Sequence, residues 1–599
     1  MQGLKNLLPR QFFGYLDFFR GYLGNTVFIA LAASILVAVL DGIGLAMFLP
    51  LLQLADQRAD AGVDMGNMAF VVEAIRNLDI PLTVTSVLLL MLLFFTLKGV
   101  AKFATSYYTV RQQQRFITGV RIRNLDLLGG YDYRAFTAAD AGRIQNTFSG
   151  EVERLNAAHH NYFQMLQQAV ICLVYVGMAY LANPRFAVIV GIGGLLSNLL
   201  FSRIYKITEE SSRRMTTEAH RFQGYLVQSV SNFKFLKATD LISRYRERIA
   251  AVIRNLEREQ RRVGTMNAIA TAVREPLILL IVVAGILIQI TWFADSLASI
   301  LLSLLFFYRG LTNLVATQSY YNSFLGNAGS IENMQAFVGE LSAHQERGGS
   351  RVVGPLQTGL RLTGLEYGFA DADLLRGLDL TIRKNETLGI VGESGTGKTT
   401  LVNILSGLLT VSTGMFSIDG VDSNVVDLRA YRRRIGYVTQ EPPVFMDTIF
   451  NNVSFWEART PETESRVWHA LELAHAADFV RSLPGQLDAR IGINGINLSG
   501  GQRQRMAIAR ELYRDIDILV LDEATSALDS RSENLIQRNI ESLAGSYTMI
   551  VIAHRLSTIR NADKILYLKP GQQYEVGTFQ ELCHTSATFG KLVSLQNVA

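Results

Sequence analysis

Gly392-Glu393-Ser394-Gly395-Thr396-Gly397-Lys398-Thr399 has the spacing G-x-x-x-x-G-K-[ST]. An apolar run, Thr387 to Val391, leads into it, and a helix-compatible run, Thr400 to Leu409, leads out. Strand, glycine loop and helix in that order form the setting in which this motif holds a triphosphate, and they predict an α/β fold. The glycines let successive backbone N–H groups turn onto phosphate oxygens, and the helix behind them offers its positive end. Lys398 supplies a point charge for the β- and γ-phosphates, and the Thr399 hydroxyl is suited to ligate Mg²⁺. The candidate ATP contacts here are Gly392, Glu393, Ser394, Gly395, Thr396, Gly397, Lys398, Thr399 and Thr400.

Two further stretches belong to the same chemistry. The apolar strand Ile518 to Leu521 ends in Asp522-Glu523. A carboxylate at the end of a parallel strand beside a phosphate loop is placed to hold Mg²⁺, and its neighbour to polarise an attacking water. Between loop and acidic pair lies Asn497-Leu498-Ser499-Gly500-Gly501-Gln502-Arg503-Gln504-Arg505, with a serine and two glycines before a helix expected from about Gln502. One nucleotide rarely needs two glycine cradles. The second is expected to serve a nucleotide bound to another copy of the chain.

The 599 residues leave room for several domains. With 49% hydrophobic and 18% charged residues, the chain is too apolar for an ordinary soluble ATPase. Long apolar runs fall near 27–54, 82–108, 162–182, 185–205, 268–293 and 296–325, all ahead of the glycine loop. Most reach the roughly 20 residues that cross a bilayer, so six spans are expected. The stretch 55–80 holds Arg58 and Arg76 against Asp56, Asp60, Asp64, Glu73 and Asp79, whereas 203–262 holds fourteen Lys/Arg against seven Asp/Glu. The positive-inside rule puts the second stretch in the cytoplasm, together with both termini and the ATPase half, and makes this a multi-pass protein of the inner (cytoplasmic) membrane. A formal charge of +5 is no argument for nucleic acid, and none is expected as a partner. Cys172 and Cys583 suggest neither a disulfide framework nor a metal cluster.

The stretches 111–160 and 206–267 carry helical periodicity and should project below the membrane, about 37 Å for about 25 residues of helix. Each has a break, at Gly129-Gly130 with Tyr131 to Asp140 and at Ser229 to Thr239. Those breaks are natural tips for touching a cytoplasmic domain. Residues 10–25, with Phe12, Phe13, Tyr15, Phe18, Phe19 and Tyr22, read as an amphipathic helix on the inner leaflet. The expected organisation is an elbow over 1–25, an all-α transmembrane domain of six helices over 26–340, a linker over 341–358, and an α/β P-loop NTPase domain over 359–599.

Taken together, the glycine loop, Leu498-Ser499-Gly500-Gly501-Gln502 and Asp522-Glu523 resemble an ATP-binding cassette (ABC) exporter, and the match extends over nearly the whole chain. With one membrane domain and one cassette it looks like a half-transporter. The resemblance implies a dimer, most simply a homodimer, in which each ATP lies between the phosphate loop of one copy and Ser499, Gly500, Gly501 and Gln502 of the other. It further implies that Gln440 ligates Mg²⁺ and senses the membrane domain, that Asp522 is metal-associated, and that Glu523 is the catalytic base. Asp529 resembles the aspartate of the loop that follows, and His554 the histidine that contacts the γ-phosphate. Phe369 stands where a tyrosine usually stacks on adenine, with Tyr367 two residues earlier. Ile493, in Gly492-Ile493-Asn494-Gly495, replaces a glutamate that contacts the membrane domain in many exporters.

The cargo is less legible. Ionisable residues inside spans are costly and are functional hypotheses by default. Lys98, Lys102, Arg274 and Arg309 are such residues, and a basic cavity would suit an anionic head group. The stretch Asp41 to Leu52 is similar to the first span of bacterial lipid-linked oligosaccharide flippases. Three readings stay open: an exporter or flippase of an anionic lipid or lipid-linked glycan, an exporter of a peptide or small hydrophobic compound, and a non-transporting cassette ATPase.

Overall fold

The computed structural model describes residues 10–48, 50–51, 81, 83–293, 297–346, 348–369, 372–411, 413–492, 495, 497–522, 537–538, 540–553 and 555–597. Within these, the side chains at 10–13, 186–187, 189–191, 193–202, 274–275, 278, 289–290, 292–293, 297–303, 369 and 372–373 are not described. The chain divides into two units, Met1–Tyr131 with Ala135–Gln345, and Asp132–Arg134 with Glu346–Ala599.

The first unit is helical. A short helix, α1 (Arg10–Leu23), precedes α2 (Val27–Ala46), α3 (Val84–Gly129), α4 (Val152–Ala182), α5 (Pro184–Ser231), α6 (Ile242–Phe293) and α7 (Leu297–Ala343). Helix α7 packs along α4 and α5, α5 against α6, and α2 against α3 and α4. The segments Gly14–Ala46, Val84–Gly129 and Ala141–Ala182 are long and apolar enough to cross a bilayer, and α6 carries a shorter apolar stretch, Leu279–Ile288. Helix α3 turns Leu89, Leu92, Leu93, Val100 and Phe103 outward, all more than half exposed. A water-facing helix would be polar there, and this apolar surface suits contact with lipid or with another protein surface. Pro276 lies inside α6.

The expected breaks are present. Helix α3 ends at Gly129, and Asp140 caps the next helical turn by accepting from the Gly142 and Arg143 amides. Between α5 and α6 a six-residue helix, Phe233–Ala238, interrupts the run. In α1, Tyr15, Phe19 and Leu23 fall at i, i+4 and i+8 and so share one face. That face is buried among Phe116, Phe163 and Phe324 of α3, α4 and α7. Part of the aromatic surface expected on the leaflet is thus inside the protein.

Lys98 also departs from expectation. Its ammonium pairs with Asp41 of α2, and the Tyr175 hydroxyl of α4 donates to the same carboxylate. The Asp41 side chain is 4% exposed and that of Lys98 23%. The charge expected to meet a head group is already neutralised within the bundle. Lys102 and Arg309 are exposed, and the Arg274 side chain lies outside the described residues. Removing one partner of a buried pair strands the other charge, so Asp41→Asn is expected to destabilise the bundle by about 3 kcal/mol. Adding Lys98→Met should restore part of that loss in thermal unfolding of the detergent-solubilised protein. Strictly additive effects of the two substitutions would mean that the pair is not coupled.

The second unit holds two sheets. Strands β1 (Gly359–Phe369), β2 (Ala372–Arg383), β4 (Thr413–Ile418) and β5 (Val421–Asp422) form an antiparallel sheet in the order β2-β1-β4-β5. The larger sheet has the order β10-β9-β3-β8-β7-β6. It comprises β3 (Thr387–Gly392), β6 (Ile435–Val438), β7 (Ile518–Asp522), β8 (Thr548–Ile552), β9 (Lys564–Leu568) and β10 (Tyr574–Gly577). Strands β3 and β6 to β9 run parallel, and β10 returns antiparallel beside β9.

Strands of a sheet covered on both faces are apolar at nearly every position, alternate residues entering opposite cores. Leu519 and Leu521 of β7 join one core, together with Met549 and Val551 of β8. Ile518 and Val520 join the other, with Ile550 and Ile552. Two helices complete these cores from opposite sides: α8 (Lys398–Leu405), which leaves the glycine loop, and α9 (Gly500–Tyr513).

Candidate functional site

The parallel strands bring their C-terminal ends to one edge. Ile390 of β3 stands beside Ile552 of β8, and Ile552 beside Asp522 of β7. Val438, which closes β6, stands beside Leu521. With strands about 4.8 Å apart, Asp522 lies about 10 Å across the sheet from Ile390. The glycine loop after β3, the Gln440 segment after β6 and Asp522 therefore share the edge at which open α/β sheets bind ligands.

Within the loop, Gly395 and Gly397 have φ of 83° and 93°. A side chain is strained in that region, so the residue type follows from the backbone. A Cβ on Gly392 would stand 2.4 Å from the Leu568 carbonyl oxygen, which bars any other residue there. Gly397 N-caps α8, so that helix starts at Lys398 rather than Thr400. It ends at Leu405, ahead of Gly407 at φ 65°, short of the expected Leu409. The Lys398 ammonium donates to the carbonyls of Gly392 and Glu393 at 2.8 and 2.9 Å, curled over the loop it would share with a phosphate. Thr396 closes the turn onto the Glu393 carbonyl at 2.9 Å. Thr399 is exposed, Thr400 half-buried, and Ser394 exposed at the loop tip.

Asp522 accepts a bond of 3.4 Å from the Tyr437 hydroxyl. Burial, and next the Asp522 charge, push the Tyr437 phenol above its ordinary range, so it stays a donor. Sequence motifs alone assign Tyr437 no role; its place one residue before the end of β6, beside the acidic strand, is the signal that could have found it. Thr399 hydroxyl, Gln440 amide oxygen and Asp522 carboxylate form an all-oxygen donor set, which suits a hard cation such as Mg²⁺.

Helix α9 begins at Gly500, two residues before expectation, because Ser499 caps it. The Ser499 hydroxyl accepts from the Gln502 amide at 3.3 Å, and the Gln502 side chain accepts from the Ser499 amide at 2.9 Å. This capping box leaves Gly500 and Gly501 in the first turn with no side chain over their N–H groups. Further along α9, Arg510 is 3% exposed. Its guanidinium donates to the carbonyls of Asn452 and Pro443, both at 2.7 Å, and so ties α9 to the segment after Gln440. No motif announces Arg510.

The two cradles do not meet within one chain. Leu401, Val402, Ile404 and Leu405 of α8 enter one core, while Met506, Ala507, Ile508, Ala509 and Leu512 of α9 enter the other. They flank opposite faces of the sheet. Glu523, Asp529, His554 and Ile493 lie outside the described residues, as does the Phe369 side chain. Tyr367, two residues before Phe369, is 5% exposed and packed in the core of its sheet.

Comparison with known proteins agrees with this geometry. Residues 26–315 match the family model described as ABC transporter transmembrane region, and residues 375–526 the model described as ABC transporter. An ATP-dependent lipid A-core flippase of Bordetella avium is 30% identical over 529 residues, 86% of this chain and 88% of that protein. The chain belongs to the ABC transporter family. The transporter is also 27% identical over 573 residues to the heterocyst differentiation ATP-binding protein HepA of Nostoc sp., covering 95% of this chain and 93% of that one. A bacterial Atm1-family ABC exporter solved with ATP bound shares the fold, with a TM-score of 0.77 at 22% identity over 96% of this chain and 99% of that one. The transporter is a membrane protein with one transmembrane region and one ATP-binding region, and it couples ATP hydrolysis to export.

Proposed function

We propose that two copies of the transporter form a homodimer in the cytoplasmic membrane, with the ATPase units in the cytoplasm, and move an anionic lipid or lipid-linked glycan outward by alternating access. The observation that carries the dimer is the placement of α8 and α9 on opposite faces of one sheet. A nucleotide on the glycine loop of one copy is completed by Ser499, Gly500, Gly501 and Gln502 of the other. ATP then binds the closed state better than the open one, the difference that a population shift requires.

In this scheme the backbone from Gly392 to Gly397, with Lys398 and Thr400, holds the phosphates, and Phe369 stacks on adenine. Thr399, Gln440 and Asp522 would hold Mg²⁺, which would supply charge neutralisation at the phosphates when bound. Glu523 takes the proton of the attacking water, His554 orients that water beside the γ-phosphate, and Asp529 serves as an ATP contact.

The lipid cargo is supported by the flippase relatives and by exposed Arg309 and Lys102 on the membrane helices. Lys98, paired with Asp41, does not count toward it. Reconstituted in nanodiscs, the transporter should turn over ATP several times faster with an anionic lipid or lipid-linked glycan than with a zwitterionic lipid. Stimulation by peptides alone would sink the lipid cargo in favour of peptide export.

A further inference from the structure

Helices α5 and α6 enclose a cleft of about 640 Å³ lined by Ile207, Glu210, Ser211, Arg214, Arg258, Arg261, Arg262, Thr265 and Met266. Four guanidiniums thus face one carboxylate, that of Glu210, across the opening. Two of the four are engaged on their own helix: Arg261 with Glu257 at 3.1 Å, and Arg262 with Glu259 at 3.3 Å. Arg214 and Arg258 have no carboxylate within ion-pair distance among the described residues. Set against Glu210, the remaining carboxylate of the lining, these two leave the cleft with a net excess of one positive charge.

Its depth is set by the chain. The fourth and fifth apolar runs are 185–205 and 268–293, so Ile207 and Met266 each lie two residues from a span end. At 1.5 Å per residue, the lining extends from about 3 to about 15 Å below the hydrocarbon edge, from within the headgroup layer, about 5 to 7 Å deep, into the water beneath it. The apolar residues Ile207 and Met266 are those nearest the membrane, while Arg214 and Arg258 are those furthest from it. An acyl chain and a charged head would need that polarity. Ser211 and Thr265 add hydroxyls that donate to phosphate oxygens beside the guanidiniums.

We infer that this cleft binds the phosphate-bearing headgroup of an inner-leaflet lipid. Basic clefts between membrane helices at the cytoplasmic face are suited to such heads, whereas a zwitterionic head brings its own cation and gains little. The inference does not depend on that lipid being the cargo. Failure of an anionic lipid to stimulate ATP turnover would count against the cargo and leave this site standing.

Native mass spectrometry of the full transporter in detergent tests it, with dioleoyl phosphatidic acid, dioleoyl phosphatidylcholine and inorganic phosphate as separate probes. Phosphatidic acid should bind more tightly than phosphatidylcholine. Arg214→Gln with Arg258→Gln should weaken phosphatidic acid about thirtyfold, each arginine near the membrane surface being worth about a factor of five. Arg214→Lys with Arg258→Lys should hold within a few fold of the parent, and Arg246→Gln, outside the cleft, should match it. Unchanged binding by the double Gln variant overturns the assignment, as does equal binding of phosphatidylcholine. Inorganic phosphate bound as tightly as phosphatidic acid would make this a site for free anions and overturn the lipid. Equal loss in the Lys and Gln pairs would make the effect one of packing rather than charge, and would overturn the assignment too.

Discussion

Glu523→Gln is expected to lower ATP turnover by about a thousandfold, the upper range for loss of a positioned general base. The amide keeps the shape of the side chain and cannot accept the proton of the attacking water. Asp522 ends β7 level with Ile552 of β8, next to the strand that carries the glycine loop. The substitution leaves the residues of the loop, Lys398 and the capping box of α9 unchanged. ATP should therefore still bind and hold two copies together, now without release. Phosphate release and retention of labelled ATP measure the two effects separately. Hydrolysis at the parent rate would mean that a different residue takes the proton.

Nearly as large an effect is expected from mixing two dead chains. Lys398→Met removes the charge on the β/γ-phosphates and leaves α9 intact. Gly500→Asp puts a carboxylate in the first turn of α9, where the helix dipole welcomes it and a phosphate would be repelled. Each variant alone should show no turnover. Co-assembled, the Lys398→Met copy lends its intact α9 to the glycine loop of the Gly500→Asp copy, and one complete site returns. Rescue requires that the cradles act between copies, as their separation by the sheet implies. A mixture as inactive as either parent would show that each chain completes its own site.

Much of the cassette is legible in the sequence because its constraints are local. Gly395 and Gly397 are dictated by positive φ, the strands by apolar runs of fixed length, and the Asp522 position by the end of β7. Both cradle helices start two residues earlier than apolar periodicity suggests, since the capping residues, Gly397 and Ser499, look like loop. Contacts distant in sequence are not legible. Asp41 stands out as a carboxylate inside an apolar run, yet its partner Lys98 is 57 residues away, and only packing of α2 on α3 joins them. The buried face of α1 is visible as a period of four, but whether lipid or protein covers it depends on α3, α4 and α7. Cargo is harder still, because no local motif encodes it and Lys98, one of the basic span residues, is already paired with Asp41.

Pro276 gives α6 one soft section in an otherwise stiff beam. Its nitrogen carries no hydrogen, so the Ala272 carbonyl loses its helical donor. Bending at that level breaks no hydrogen bond, whereas bending elsewhere along the helix would. The section lies about three turns beyond Met266, between the arginine-lined lower arm and the apolar Leu279–Ile288 stretch. A lateral force on the lower arm is thus absorbed as an angle at Pro276 before it can strain the upper packing. Along the described length of α6, this is the level at which an angle costs least in backbone hydrogen bonding.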